Sequence, residues 1–262
     1  VGAGAVSLGC AAMLGSPWSL SATVWGVACG LMWTGGQVFV LWAFRAWGVS
    51  RTMPLTTALQ LLLNATLGVS LFGEWRAPGA LILGVVALAL IMLGAAACSW
   101  QERTGPGPTA AQRRDGLLAT AASAVLYGSY PSLLRAVEVP PAHAVGPMGL
   151  GLLAGAGLCA LIQPRRAPLR GPRIVPAALA GGLWAVGNAL MLRSTAAVGV
   201  ASGFTLSQLG FVLATIGGLT ILGEERTGRE RTAVAAGVAA AVVGLVLMGL
   251  ATSMDTGASP SQ

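Results

Sequence analysis

Long apolar runs broken by short polar connections set the pattern of this chain. Eight runs come close to or exceed the roughly 20 apolar residues that a helix needs to cross a bilayer. They are residues 20–44, 49–72, 77–99, 116–139, 142–162, 174–195, 200–222 and 232–252, and each predicts a transmembrane helix. Residues 1–14 are apolar and small but too short to span unaided. No basic stretch precedes them as it would in a signal peptide, so they read as the back part of a membrane helix. The expectation is an all-α polytopic membrane protein with about nine membrane segments.

The runs also repeat. Gly30-Leu-Met-Trp33-Thr-Gly-Gly36-Gln37 matches Gly181-Gly-Leu-Trp184-Ala-Val-Gly187-Asn188 at an offset of 151 residues. Gly48-Val49 recurs as Gly199-Val200, and Gly73-Glu74 recurs as Gly223-Glu224 at an offset of 150. Five apolar segments lie between equivalent points, an odd number, so the two copies are expected to cross the membrane in opposite senses. Secondary transporters are commonly built from such inverted repeats, with substrate bound at the repeat interface. The chain then divides into a first, N-terminally truncated repeat (1–100), a linker (101–115) broken by Gly105-Pro106-Gly107-Pro108, a second repeat (116–252) and a polar tail (253–262).

Composition and charge narrow the picture. The chain is 55% hydrophobic and 9% charged, with a mean hydropathy of +0.77, far from the charge content of a soluble domain. Its net charge of +7 comes from 15 basic residues, all arginine. Arg45, Arg51, Arg103, Arg113, Arg114, Arg165, Arg166, Arg170, Arg173, Arg226, Arg229 and Arg231 fall in alternate connections; the opposite ones hold only Arg76, Arg135 and Arg193. Short loops rich in arginine stay on the cytoplasmic side. A multi-pass protein of the cell membrane is expected, with its C-terminus extracytoplasmic. The charge reflects topology and contact with anionic lipid headgroups, not a nucleic-acid partner. Cys10, Cys29, Cys98 and Cys159 lie within apolar runs as inert thiols, and a single His supports no metal site. No phosphate loop, nucleophile motif or in-helix carboxylate pair is present, so neither an enzyme nor a cofactor is expected.

Polar residues inside apolar runs are the candidate chemistry, because lipid penalises them unless they face a cavity or a partner. Trp33 with Gln37, and Trp184 with Asn188, are spaced four apart and share one helix face. An indole beside an amide suits a sugar, whose C–H face lies on the ring while hydroxyls bond the amide. A second cluster opens the following helices: Arg51, Thr52 and Pro54 with Thr56-Thr57 in one half, Thr205, Ser207 and Gln208 in the other. Pro54 and Gly203 there suggest interrupted helices, a sequence pointer to transporter sites. Gln60 and Asn64 extend that face, and Tyr127 and Tyr130 are weaker candidates. No acid sits in mid-helix, and Arg51, Arg135 and Arg193 lie near helix ends, where long side chains snorkel. A neutral polyol fits this interior better than an ion.

Gly48-Val-Ser-Arg-Thr-Met-Pro54, Leu59-Gln60-Leu61 and Gly73-Glu74-Trp75 resemble the first-half signature of the bacterial glucose/ribose uptake family of the drug/metabolite transporter superfamily. Val198-Gly-Val-Ala-Ser-Gly-Phe-Thr-Leu-Ser-Gln-Leu209, Gly217-Gly218 and Leu222-Gly-Glu-Glu225 resemble its second-half signature. The likeness covers essentially the whole chain and is weakest between Trp100 and Pro172. It implies an inverted five-plus-five carrier that takes up a monosaccharide together with a proton; the first of its ten helices is not in this sequence. For the proton, Glu138, spaced to pair with Arg135, and the nearby His143 are the candidates. Two alternatives stand beside it. One is a drug or metabolite exporter of the same fold, opposed by the missing buried carboxylate. The other is a non-transporting sensor or carrier remnant, suggested by the absent helix.

Overall fold

The computed structural model describes residues 2–13, 18–100, 102, 108–162, 174–208, 210 and 227–258, and all of its elements are helices. In chain order they are α1 (Gly2–Met13), α2 (Leu20–Trp47), α3 (Val49–Phe72), α4 (Ala80–Ser99), α5 (Ala110–Ala136), α6 (Pro141–Ile162), α7 (Ile174–Val198), α8 (Val200–Ser207) and α9 (Gly228–Ala258). Among the described residues, seven helices are long and apolar enough to cross a membrane. Their outward faces carry exposed residues such as Leu71, Ile82, Leu161 and Leu183, the arrangement of a multi-pass membrane protein, where lipid replaces water as the solvent for apolar side chains. The predicted run 200–222 is helical as far as Ser207; most of its remainder lies outside the described residues.

Helix ends follow local chemistry that hydropathy alone misses. Helix α5 starts at Ala110, inside the span read as linker, because Thr109 and Gln112 cap each other's backbone amides. Helix α9 starts at Gly228 by the same device, with Glu230 N–H donating to Thr227 Oγ1 and Thr227 N–H to Glu230 Oε2. It also runs on into the span read as a polar tail. Helix α4 starts at Ala80 because Gly79, at φ 83, turns the chain there.

Gly48 ends α2 and begins α3 with φ 95 and ψ 159, and Gly199 begins α8 with φ 93 and ψ 163. A side chain strongly disfavours this backbone, so both connections reduce to one residue. Pro54, expected to interrupt its helix, sits inside a continuous α3. It lies past the first turn, where Thr52 N–H already bonds the Gly48 carbonyl, so the proline forfeits one bond, to the Ser50 carbonyl, and the helix continues through it.

Small residues set how closely helices pack, as expected where lipid gives no hydrophobic drive for association. A Cβ on Gly94 of α4 would lie 2.6 Å from the Gly237 carbonyl of α9, and one on Gly237 would lie 2.7 Å from the Gly94 carbonyl. Helices α2 and α6 meet likewise, with Gly26 facing the Ala144 carbonyl and Gly151 the Val27 carbonyl. Helix α1 packs on α6 and α7, α5 on α2 and α3, and α8 between α3 and α7. These contacts leave a space at the centre, bounded by α2, α3, α5, α7 and α8.

Candidate functional site

The central space is a cavity of about 710 Å³, within the size range of small-molecule sites. Its wall descends α2 from Trp33 through Gln37 and Val40 to Phe44, and rises α3 from Val49 and Met53 to Gln60. At the other end it stops at Tyr130, Met191 and Phe204, the last fully buried. The cavity therefore reaches toward the α2–α3 turn, flanked by Arg45 and Arg51, and is closed at the opposite end.

The two tryptophans meet in this wall. Trp33 and Trp184 rings are 4.2 Å apart by centroid and inclined by 43°, and Tyr127 lies 5.6 Å from Trp33. Tilted aromatic contacts of this kind are favourable beyond the area they bury. The amides four residues on also line the cavity, and α5 holds each by a phenol. Tyr127 donates to Gln37 Oε1 at 2.5 Å, and Tyr130 donates to Asn188 Oδ1 at 2.6 Å. Each oxygen has one hydrogen bond from a phenol, and the amide N–H groups are the donors that remain to offer. Among the described residues, the Asn188 amide nitrogen has only the soft Met148 sulfur, at 3.4 Å, as its partner. Thr56 borders the cavity, and its hydroxyl, on a side chain buried to 2% exposure, has no hydrogen-bond partner among the described residues. Buried polar atoms are almost always satisfied, so this unpartnered hydroxyl beside the cavity is a candidate contact for a bound molecule. No acidic or basic residue lines the cavity among the described residues.

The fold thus brings together six of the ten principal candidates, Trp33, Gln37, Trp184, Asn188, Ser207 and Gln208, along with Thr56, Thr57, Gln60, Tyr127 and Tyr130. Thr52, Pro54 and Thr205 are not on the wall. Thr52 is fully buried, accepting from Trp47 Nε1 at 2.9 Å and donating to the Gly48 carbonyl. Thr205 is spent on the Ala201 carbonyl of its own helix. The Arg51 side chain lies outside the described residues. Asn64 bridges helices instead, donating to the Gln60 carbonyl and accepting from Ser132 of α5. Arg135 pairs with Glu74 rather than with Glu138, which is exposed, while His143 is half-buried near the start of α6. Tyr127, Tyr130 and Thr56 carry more of the site than their sequence signal suggested. A phenol three residues from another on a helix face was the available cue.

A polytopic helical membrane protein with a central, uncharged, amide-lined cavity is the class that fold and site define. Family comparison makes it specific: a model described as "Sugar transport protein" matches residues 1–251, and the chain belongs to that family, one of transporters rather than enzymes. It is 37% identical over 225 residues to "Putative sugar uptake protein lin0215" of Listeria innocua, covering 85% of this chain and 77% of that one. It is 34% identical over 229 residues to "Probable glucose uptake protein GlcU" of Bacillus cereus, covering 87% and 79%. To "Glucose uptake protein GlcU" of Bacillus subtilis it is 34% identical over 234 residues, covering 89% and 80%. A crystal structure only 21% identical in sequence matches with a TM-score of 0.66 over 99% of this chain and 86% of that one, a likeness of fold.

Proposed function

We propose that this protein takes up a neutral monosaccharide of the glucose or ribose type, by alternating access between two inverted repeats, with a proton as coupling ion. The observation that carries the reading is that Trp33 and Trp184, equivalent in the sequence repeat, face each other across the cavity wall, each with an amide one turn further on. Equivalent side chains meet where a two-fold axis passes. Three further features support the repeat. Gly48 and Gly199 share one unusual backbone conformation. The α2–α3 pairing is matched by α7–α8, and the α2–α6 pairing by α7–α1. In the inverted arrangement each of these is the image of the other.

The chemistry favours a polyol. Indole faces accept the apolar C–H side of a pyranose or furanose, while amide N–H groups and the Thr56 hydroxyl meet its hydroxyl oxygens. The uncharged lining argues against a cationic drug as cargo, since such cargo is matched by a buried carboxylate. The asymmetry of arginine supports a cytoplasmic location for the Arg-rich ends, and on that reading this conformation is inward-facing. Counterflow of labelled glucose, ribose and a cationic dye in proteoliposomes tests the reading. Exchange of a sugar, but not the dye, is the expected result. Exchange of the dye alone would make the protein an exporter of the same fold, and exchange of none would remove the transport reading.

A further inference from the structure

Glu74, a residue at a helix end, is buried by the fold to 8% exposure. Gly73, at φ 64, turns the chain out of α3 and delivers the carboxylate to the start of α8. Its Oε1 accepts from Val200 N–H at 2.6 Å and its Oε2 from Ala201 N–H at 2.8 Å, the opening amides of that helix. Arg135 of α5 pairs with the same carboxylate, and its guanidinium lies 4.4 Å over the Phe72 ring. The fit is close on every side. A Cβ on Gly199 would lie 2.6 Å from the carboxylate carbon, and one on Gly68 would lie 3.0 Å from Oε2.

Two other charged side chains approach this point. Asp255 of α9 accepts from Trp75 N–H at 2.6 Å and Ala77 N–H at 3.1 Å, and the Arg76 guanidinium folds over Gly73. Glu74, Arg135 and Asp255 border a separate cavity of about 190 Å³. The helices gathered here, α3, α5, α8 and the end of α7, are four of those that line the central cavity, and they converge at its closed end. The other described acids are placed differently. Glu138 is exposed, and Glu230 caps α9 at the Arg-rich end.

We propose that Glu74 is the proton-binding carboxylate of the carrier and the latch of its closed end, which rests on the proton-coupled uptake proposed above. Ionised, it holds Arg135 and the positive end of the α8 helix dipole. When it takes up a proton, an O–H bond forms on the carboxylate and the negative charge is cancelled. Neither partner is then held as strongly, and α8 is free to part from α3. Protonation and opening of this end favour each other, as linkage requires. A proton arriving from outside therefore opens the path for sugar from the same side. When this end recloses over bound sugar, Arg135 and the α8 amides re-engage the carboxylate, the O–H bond breaks, and the proton leaves through the central cavity toward the Arg-rich end.

The test uses full-length protein in proteoliposomes, reading labelled-glucose accumulation under an imposed pH gradient, acid outside, and counterflow at uniform pH. Wild-type protein is expected to concentrate glucose. Glu74→Gln is expected to keep counterflow and lose accumulation above the external concentration. Leaving Arg135 unpaired risks loss of the folded protein, so Glu74→Gln with Arg135→Gln, which removes both charges, is measured alongside and is expected to behave the same way. Accumulation by either variant overturns the proposal, as does a loss confined to Glu138→Gln. Wild-type protein that exchanges glucose without responding to the pH gradient overturns proton coupling and this proposal together. Wild-type protein without counterflow overturns the sugar reading itself.

Discussion

Tyr130, buried to 4% exposure on α5, donates its phenolic hydrogen to Asn188 Oδ1 on α7 at 2.6 Å. The bond fixes which end of the amide faces the cavity, and Tyr127 does the same for Gln37. Tyr130→Phe and Tyr127→Phe keep the ring and release the amide. A net hydrogen bond is worth about 1 kcal/mol, so the apparent KM for sugar is expected to rise by about fivefold in each. Counterflow kinetics normalised to membrane abundance read this directly, and an unchanged KM in both variants would show that amide orientation does not matter.

Thr56 separates a ligand contact from a structural one. Its hydroxyl has no partner among the described residues, so Thr56→Val removes a buried polar group without orphaning another of them. Thermal stability is expected to hold or rise, while sugar affinity falls by about 1 kcal/mol, the worth of one hydrogen bond. Thermal melting in detergent and substrate titration give the two numbers. A fall in stability with affinity intact would make Thr56 a packing residue.

Trp184→Ala and Asn188→Ala are each expected to weaken uptake by about 1–3 kcal/mol, roughly 5- to 150-fold in affinity, with near-normal abundance. Trp184 also packs on Trp33, so Trp184→Phe should recover part of the loss by restoring an aromatic face. Equal defects for Phe and Ala would point away from ring contact.

Packing predicts a contrast between two glycines of one helix. A side chain on Gly151 would run into the Val27 carbonyl of α2, whereas one on Gly157 meets nothing within 4 Å. Gly151→Val is expected to abolish monodisperse protein in detergent, and Gly157→Val to leave it intact, as size-exclusion profiles of the two variants would show.

Orientation is open to labelling. Cysteines at the exposed positions Ala110 and Gly228 are expected to react with an impermeant maleimide only from the cytoplasmic side, and one at exposed Ala136 only from outside, by the arginine asymmetry. Labelling from the reverse sides would invert the topology and with it the inward-facing assignment.

The membrane character, the helix positions and the pairing of Trp33–Gln37 with Trp184–Asn188 were legible in the sequence. Each depends on spacing within one helix or on the sum of hydropathy over a run, which are local properties. Gly48 and Gly199 were visible as repeated landmarks, but their shared φ near 95° is a fact of the backbone. Helix starts at Ala110 and Gly228 were missed because capping side chains override hydropathy, although Thr109–Gln112 and Thr227–Glu230 carried the cue.

What only the tertiary structure decided is which polar groups spend their hydrogen bonds on the protein and which do not. Thr52 and Thr205 look like Thr56 in the chain, yet the first two are consumed by nearby partners and the third has none among the described residues. Arg135 had a plausible mate three residues away in Glu138, but the fold brings it Glu74, from 61 positions earlier. Sequence fixes periodicity and therefore faces; partners across helices depend on how closely small residues let those faces approach, and that distance is set only when the bundle has packed.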